Sequence, residues 1–371
     1  MVDAAEAGEG ITKTDVIIIG AGPVGLFAVF ELGLLGLQSA VIDILDRPGG
    51  QCAELYPEKP ILDIPSRLKV TGQELTDDLM KQIEPFSPIM HFNQMADSLV
   101  KQDNGHWRMT TDMGIVIEAP VVCIAGGGGS FTPKKPKIEG IEPFENKSLF
   151  YAVRKMEQFK GKNLLIAGGG DSALDWVVAL SDHVESMHLV HRRAEFRAVQ
   201  DTVDKMRELE AAGKVTVHVA DVPRLNGSDG QIESVTLKSK ESGEEYDVKC
   251  DTMLAFYGLT MKLGPIAGWG INMESNRVAV DTEKFETSEP GIFCIGDMCT
   301  YPGKLKLILS GFHESALMAH ACFHYARPDQ KLKFEHNIKF QHSAKTRSVT
   351  GTATRDVWSR DGNFTVEWMV A

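Results

Sequence analysis

Four consecutive β-branched residues, Val16-Ile17-Ile18-Ile19, run into Gly20-Ala21-Gly22-Pro23-Val24-Gly25 and then into an apolar helical stretch with Leu26, Phe27, Val29, Phe30 and Leu32. A buried strand, a glycine turn and a helix in that order are the opening βα unit of a doubly wound parallel sheet. In this G-x-G-x-x-G pattern Gly20 permits the tight turn. Gly22 lets the backbone approach a pyrophosphate, Pro23 lies in the same turn, and Gly25 lets helix and strand pack closely. Free N–H groups and the helix dipole favour a dianionic group there. The next strand, Ala40-Val41-Ile42-Asp43, ends in an acid about twenty residues on, where a carboxylate holds a ribose hydroxyl. A glycine turn that binds nothing would leave that acid unexplained.

A second signature follows downstream. Asn163 to Ala167 reads as a strand, and Gly168-Gly169-Gly170-Asp171-Ser172-Ala173 is G-x-G-x-x-A, with alanine at the permissive third position. An apolar helix continues through Leu180. The next strand, Ser186 to Val190, meets His191-Arg192-Arg193 and then Arg197, with no acid at its tip. Guanidinium groups pair with phosphate in bidentate fashion, so this end suits the 2′-phosphate of NADP. One signature favours a free 2′-hydroxyl, as in FAD or NAD, and the other a 2′-phosphate. A flavin enzyme fed by NADPH accounts for both.

Composition sets the frame. The 371 residues imply about two domains, and 43% hydrophobic with 24% charged content is ordinary for a globular protein. No stretch offers eighteen uncharged apolar residues, so no membrane span is expected. Met1 to Lys13 lacks the basic start and apolar run of a signal peptide and reads as a loose leader of a cytoplasmic protein. A net charge of −12 argues against general nucleic-acid binding. The six cysteines form no C-x-x-C and no zinc spacing, so they read as reduced thiols and no metal is expected.

Between the signatures, residues 47–60 read as a glycine- and proline-rich loop, Gly72 to Pro85 as a surface helix, and Phe92 to Val122 as alternating strands with turns near Asn104-Gly105 and Asp112-Met113-Gly114. After the second signature come strands at Lys214–Val219, Gln231–Lys240 and Tyr246–Lys249, a β-meander with an Asn226-Gly227 turn, and Thr252–Tyr257 closes that domain. Gly291 to Ile295 is a strand ending in Gly296-Asp297, and an apolar helix runs from Gly311 to Tyr325. The expected architecture is α/β: two Rossmann-like dinucleotide-binding domains with β-meanders. Residues 126–288 form an NADPH domain inserted in an FAD domain made of residues 1–125 and 289–371.

Taken in order, the first fingerprint with Asp43, Gly49-Gly50-Gln51, the second fingerprint, His191-Arg192-Arg193 with Arg197, and Gly296-Asp297 resemble the thioredoxin-reductase-like two-domain flavoproteins. The resemblance gives Asp297 the flavin ribityl chain and Gln51 a place beside the flavin. Thioredoxin reductases carry C-x-x-C in the inserted domain, and none is found over residues 146–152. The C-x-x-x-x-C of glutathione-reductase-type enzymes is absent too, because Cys52 stands alone with Pro57 at the partner position. A dithiol relay needs two thiols.

The remaining subfamily, the ferredoxin–NADP reductases of this type, is similar in Leu55-Tyr56-Pro57-Glu58-Lys59 and in Tyr301-Pro302-Gly303-Lys304-Leu305-Lys306-Leu307-Ile308. That resemblance implies a homodimer. Tyr56 would stack on one flavin face, and His342 or Ser343 of a C-terminal segment would cover the other. It also implies ferredoxin or flavodoxin as electron acceptor, with Lys59, Lys69, Lys134, Lys135, Lys137, Lys304 and Lys306 as candidate docking cations. The alternative is an NADPH-dependent thiol/disulfide reductase, or an oxidase, of the same group. Phe364 to Met369 reads as strand-like.

Overall fold

A computed structural model describes residues 10–332 and the backbone of two short strands, Asn337–Ile338 and Val366–Glu367, which pair antiparallel. Its contacts group into two compact units. The first comprises residues 1–50, 75–129 and 263–371; the second comprises residues 51–74 and 130–262.

The first unit is built on a five-stranded parallel sheet in the order Ile292–Cys294, Val121–Ile124, Val16–Ile19, Ser39–Ile42, Ile89–His91. Every residue of the four strands other than Ile89–His91 is buried, which is why they read as continuous apolar runs rather than as alternation. Strands Ala96–Lys101, Trp107–Thr111 and Val116–Ala119 pair antiparallel, and the middle one alternates, with Trp107, Met109 and Thr111 buried. Thr12–Lys13 pairs with Ile117–Glu118, so the end of the expected loose leader is part of this sheet. Helices Pro23–Leu34 and Ile308–Ala326 pack on each other, with Phe27 and Phe312 rings 4.6 Å apart.

The second unit carries a seven-stranded sheet. Leu149–Phe150, Thr252–Ala255, Asn163–Ala167, Ser186–His191 and the start of Thr216–Ser228 run parallel. Thr216–Ser228 then continues into an antiparallel meander with Gln231–Ser239 and Glu245–Lys249. The expected turn at Asn226-Gly227 is instead a register irregularity inside the strand. The chain reverses at Asp229-Gly230, with φ of +53° and +80°, a two-residue connection matched to strand twist. Two short-range elements went unread. Gly50–Leu55 is a helix where a loop was expected, and Gln200–Ala211 is a helix anchored by fully buried Met206.

At one edge of this sheet, His188 Nδ1 lies 3.1 Å from His218 Nε2, and His218 Nδ1 lies 2.9 Å from the Tyr246 hydroxyl. Burial, then the neighbouring His188, depress the His218 pKa from 6.5 to about 4. The unfolded imidazole takes its proton near 6.5, whereas the folded one resists until about 4. In that window the unfolded chain binds more protons, so stability is lost as the pH is lowered. Thermal melting from pH 8 down to 4.5 is expected to show a steeper loss in the native protein than in His218→Gln; superimposable profiles would contradict the assignment.

Candidate functional site

The first glycine turn has no room for a side chain at Gly20 or Gly25. Gly20 has φ +110°, and a methyl there would come 2.5 Å from the Ala125 carbonyl oxygen; one on Gly25 would come 2.0 Å from the Gly20 oxygen. Helix Pro23–Leu34 begins at Gly22 with no side-chain cap and no acid in its first turn. Among the described residues no side chain caps its positive end, the place a phosphate takes. Gly49 N donates to the Ala21 oxygen at 2.8 Å, and Gly50, at φ +56°, backs onto Gly22, where a methyl would come 3.0 Å from the Gly22 Cα. Asp43 is buried: its Oδ2 accepts from Ala21 N at 2.6 Å and its Oδ1 from Leu45 N at 2.8 Å. Burial raises its carboxyl pKa and these two bonds oppose that rise. The acid thus clamps the turn as well as standing where a ribose would lie, and each oxygen keeps a lone pair for a hydroxyl.

The Gly296–Met298 turn lies against the same helix. Gly296 has φ +71°, and a methyl on it would touch Val24 Cγ1 at 3.4 Å. Helix Ile308–Ala326 comes closer still, since a methyl on Gly311 would fall 2.3 Å from Val24 Cγ2. Asp297 is exposed between buried Gly296 and Met298. Gly20, Gly22, Pro23, Gly25, Asp43, Gly296 and Asp297 are therefore gathered in one unit, and the glycine cradle, uncapped helix and exposed acid fit a dinucleotide. Sequence reasoning missed Glu314, whose fully buried carboxylate accepts bonds from this turn.

The second unit holds a cleft of about 920 Å³. It is lined by the whole second fingerprint, Gly168 to Ala173, and by His191, Arg192, Arg193 and Arg197. The arginine loop is tied to the fingerprint by its backbone. Arg197 N donates to the Gly169 oxygen at 2.7 Å, and Val199 N donates to Asp171 Oδ1 at 2.9 Å. His191 covers Gly169 so closely that a methyl there would lie 2.4 Å from the ring, and its ring stacks on Phe196 at 5.6 Å. Burial, then the Arg192, Arg193 and Arg197 guanidiniums, lower the His191 pKa. Arg192, Arg193 and Arg197 are exposed, and none is in an ion pair among the described residues.

Gln51 and Tyr56 line this second cleft, and Tyr56 packs on the cluster containing Trp176. Lys59 pairs with Asp175 at 2.5 Å in the same unit. Lys135 bonds Glu145 at 2.7 Å, and Glu145 also accepts from the Tyr151 hydroxyl at 2.6 Å. Lys304 is not a surface cation: its side chain is 4% exposed and it is paired with Glu314, so it leaves the set of docking candidates. His342 and Ser343 lie outside the described residues.

All six cysteines are buried and none is in a disulfide. Burial pushes the Cys123 and Cys294 thiols well up, and Cys250, Cys299 and Cys322 to about 12, so none of these five is a thiolate at neutral pH. No cluster of three or more metal-binding side chains occurs among the described residues.

Residues 14–321 match the family model of the pyridine nucleotide-disulphide oxidoreductases. The chain belongs to that family. It is 61% identical over 323 residues to a ferredoxin–NADP reductase of Parvibaculum lavamentivorans, covering 87% of this chain and 94% of that protein. It is 55% identical over 342 residues to one of Mesorhizobium japonicum, covering 92% of this chain and 99% of that protein. Among solved structures, the thioredoxin reductase of T. acidophilum superimposes with a TM-score of 0.72 at 21% identity, covering 86% of this chain and 99% of that one. The thioredoxin reductase of Lactococcus lactis gives a TM-score of 0.69 at 23% identity, covering 84% and 99%. These two likenesses are of fold. The α/β two-domain flavoprotein architecture expected from the sequence is the one the family shares.

The Gly25 contact gives a direct test of the first turn. Gly25→Ala has to push helix Pro23–Leu34 off its strand, which costs about 1–3 kcal/mol in overpacking. The variant is expected to melt several degrees lower and to be purified with less flavin per chain; native melting and full flavin would contradict the reading of the turn.

Proposed function

We propose that this chain is an FAD-dependent ferredoxin–NADP reductase, which moves electrons between NADPH and a one-electron iron–sulfur carrier. The observation that carries this reading is the pairing of two complete dinucleotide fingerprints with six buried cysteines, none of them in a disulfide. Electrons that enter from a nicotinamide have no dithiol to leave by. The relatives named above are ferredoxin–NADP reductases along nearly their whole length.

In this reading the first unit holds FAD and the second NADPH. Bound FAD supplies the chemistry: it takes an electron pair from NADPH and releases it singly. The protein supplies binding and orientation. Gly20, Gly22, Pro23 and Gly25 present backbone to the FAD pyrophosphate, Asp43 takes a ribose hydroxyl, and Asp297 takes the ribityl chain. Gly168, Gly170, Asp171, Ser172 and Ala173 cradle the NADPH pyrophosphate at the start of helix Asp171–Leu180. Arg192, Arg193 and Arg197 grip its 2′-phosphate beside His191. Family resemblance alone assigns Gln51, Tyr56 and His342 or Ser343 to the flavin; Gln51 and Tyr56 line the cleft of the second unit. Flavodoxin as an alternative acceptor, a homodimer and a cytoplasmic location complete the proposal. No helix among the described residues is long and apolar enough to cross a membrane.

Two measurements test it. NADPH-driven reduction of cytochrome c is expected to depend strongly on added ferredoxin, with little reduction of the disulfide DTNB. Disulfide reduction independent of ferredoxin would overturn the reading in favour of a thiol/disulfide reductase. Arg192→Ala/Arg193→Ala removes charge-assisted bonds to one phosphate, so KM for NADPH should rise about 10- to 100-fold. KM for NADH should stay within about twofold, and an equal loss for both would remove the arginines from the 2′-phosphate site.

A further inference from the structure

We propose that Glu314 is a positioning residue that holds the turn carrying Asp297 in register with the fingerprint helix, and so fixes the flavin. The proposal rests on the FAD reading of the first unit.

Glu314 is 0% exposed, in the second turn of helix Ile308–Ala326. Its Oε2 accepts from Gly296 N at 2.6 Å and from Cys299 Sγ at 3.6 Å. Its Oε1 accepts from the Tyr301 hydroxyl at 2.8 Å and from Lys304 Nζ. All four donors come from residues 296–304, and the acceptor comes from the helix that follows. Desolvating a carboxylate and an ammonium is worthwhile only where both are fully bonded. The carboxylate here answers a backbone need: Gly296 sits at φ +71°, and its buried N–H would have no acceptor if an apolar side chain filled the space.

The same helix touches the fingerprint one turn earlier. Gly311 backs onto Val24, and Ser315, next to Glu314, has its Oγ 2.8 Å from the Gly311 oxygen and 3.3 Å from the Val24 oxygen, sharing one proton between them. Glu314 therefore links three parts: the Asp297 turn, the helix and the first fingerprint. Asp297 is left as the exposed residue of a turn whose neighbours are buried. None of the residues bonded to Glu314 needs its carboxylate for redox chemistry, since the electrons move through the flavin. The action is on the geometry of Asp297.

The test uses purified holoprotein. Glu314→Leu/Lys304→Met removes both charges together, leaving no lone buried ion, and deletes the acceptor for Gly296. Glu314→Gln/Lys304→Met keeps an acceptor oxygen. FAD dissociation constants, the visible flavin spectrum, the flavin midpoint potential and NADP⁺ binding are measured for each. The Leu variant is expected to bind FAD at least tenfold more weakly, with a shifted spectrum and potential and unchanged NADP⁺ binding. The Gln variant is expected to stay within about threefold of native. A lower melting temperature with native FAD affinity, spectrum and potential would reduce Glu314 to a packing role and overturn the proposal.

If the Leu variant does not fold, Glu314→Asp serves. It keeps the charge beside Lys304 but falls one methylene short of Gly296, so flavin should again loosen about tenfold; native affinity would overturn the proposal. Asp297→Ala, as control, must loosen flavin as well, and native affinity there also overturns it. Native protein purified without flavin would defeat the FAD reading itself, whereas native protein with flavin and unaltered variants would defeat only this inference.

Discussion

Strand Val16–Ile19 and helix Pro23–Leu34 can meet as closely as they do because Gly25 has only a hydrogen where a methyl would lie 2.0 Å from the Gly20 oxygen. Much of the first unit is keyed to that approach. It brings Ala21 N to the Asp43 carboxylate, and it leaves Val24 as the surface on which Gly296 and Gly311 close. Only glycine fits where backbone must meet backbone. The requirement recurs at Gly168, where a methyl would be 2.7 Å from the Phe256 oxygen.

The two nucleotide sites share this backbone logic and differ in electrostatics. The first ends its second strand in Asp43, buried and bonded to two amides, an acceptor suited to hydroxyls and hostile to a phosphate. The second ends in exposed Arg192 and Arg193, with Arg197 laced back to Gly169. On a chain of net charge −12, three arginines in one loop without carboxylate partners are a local exception. Such a site recruits an anion by short-range pairing, not through the field of the whole protein. None of the six cysteines is in a disulfide, so no dithiol relay stands beside the two nucleotide sites.

What could be read from the sequence was what is local. Both fingerprints, the buried parallel strands and the arginine loop are each set by a few neighbouring residues whose spacing carries the geometry. Features made by distant partners were not legible. Glu314 and Lys304 are ten positions apart across a loop–helix junction, and a glutamate in a helix ordinarily points to water, so nothing marked this pair as buried. Helix Gln200–Ala211 was missed because its charged residues outnumber the positions, such as Met206, that anchor it. In the meander two Gly turn signals lay close together, and strand pairing chose Asp229-Gly230 over Asn226-Gly227. The second unit takes in residues 51–74 as well as 130–262, and its longer segment opens and closes with Ser130–Pro133 paired to Leu259–Lys262 as a two-stranded ribbon, which a proline- and lysine-rich stretch did not suggest.

The central claim is that flavin is the redox centre of the protein and that no disulfide works beside it. Anaerobic titration of the purified holoprotein with dithionite, followed at the flavin absorbance and by thiol counting, tests this most directly. The account predicts complete reduction by two electrons per FAD, with the number of titratable thiols unchanged before and after. Uptake of four electrons per FAD, with two new thiols appearing, would reveal a redox-active disulfide and contradict it.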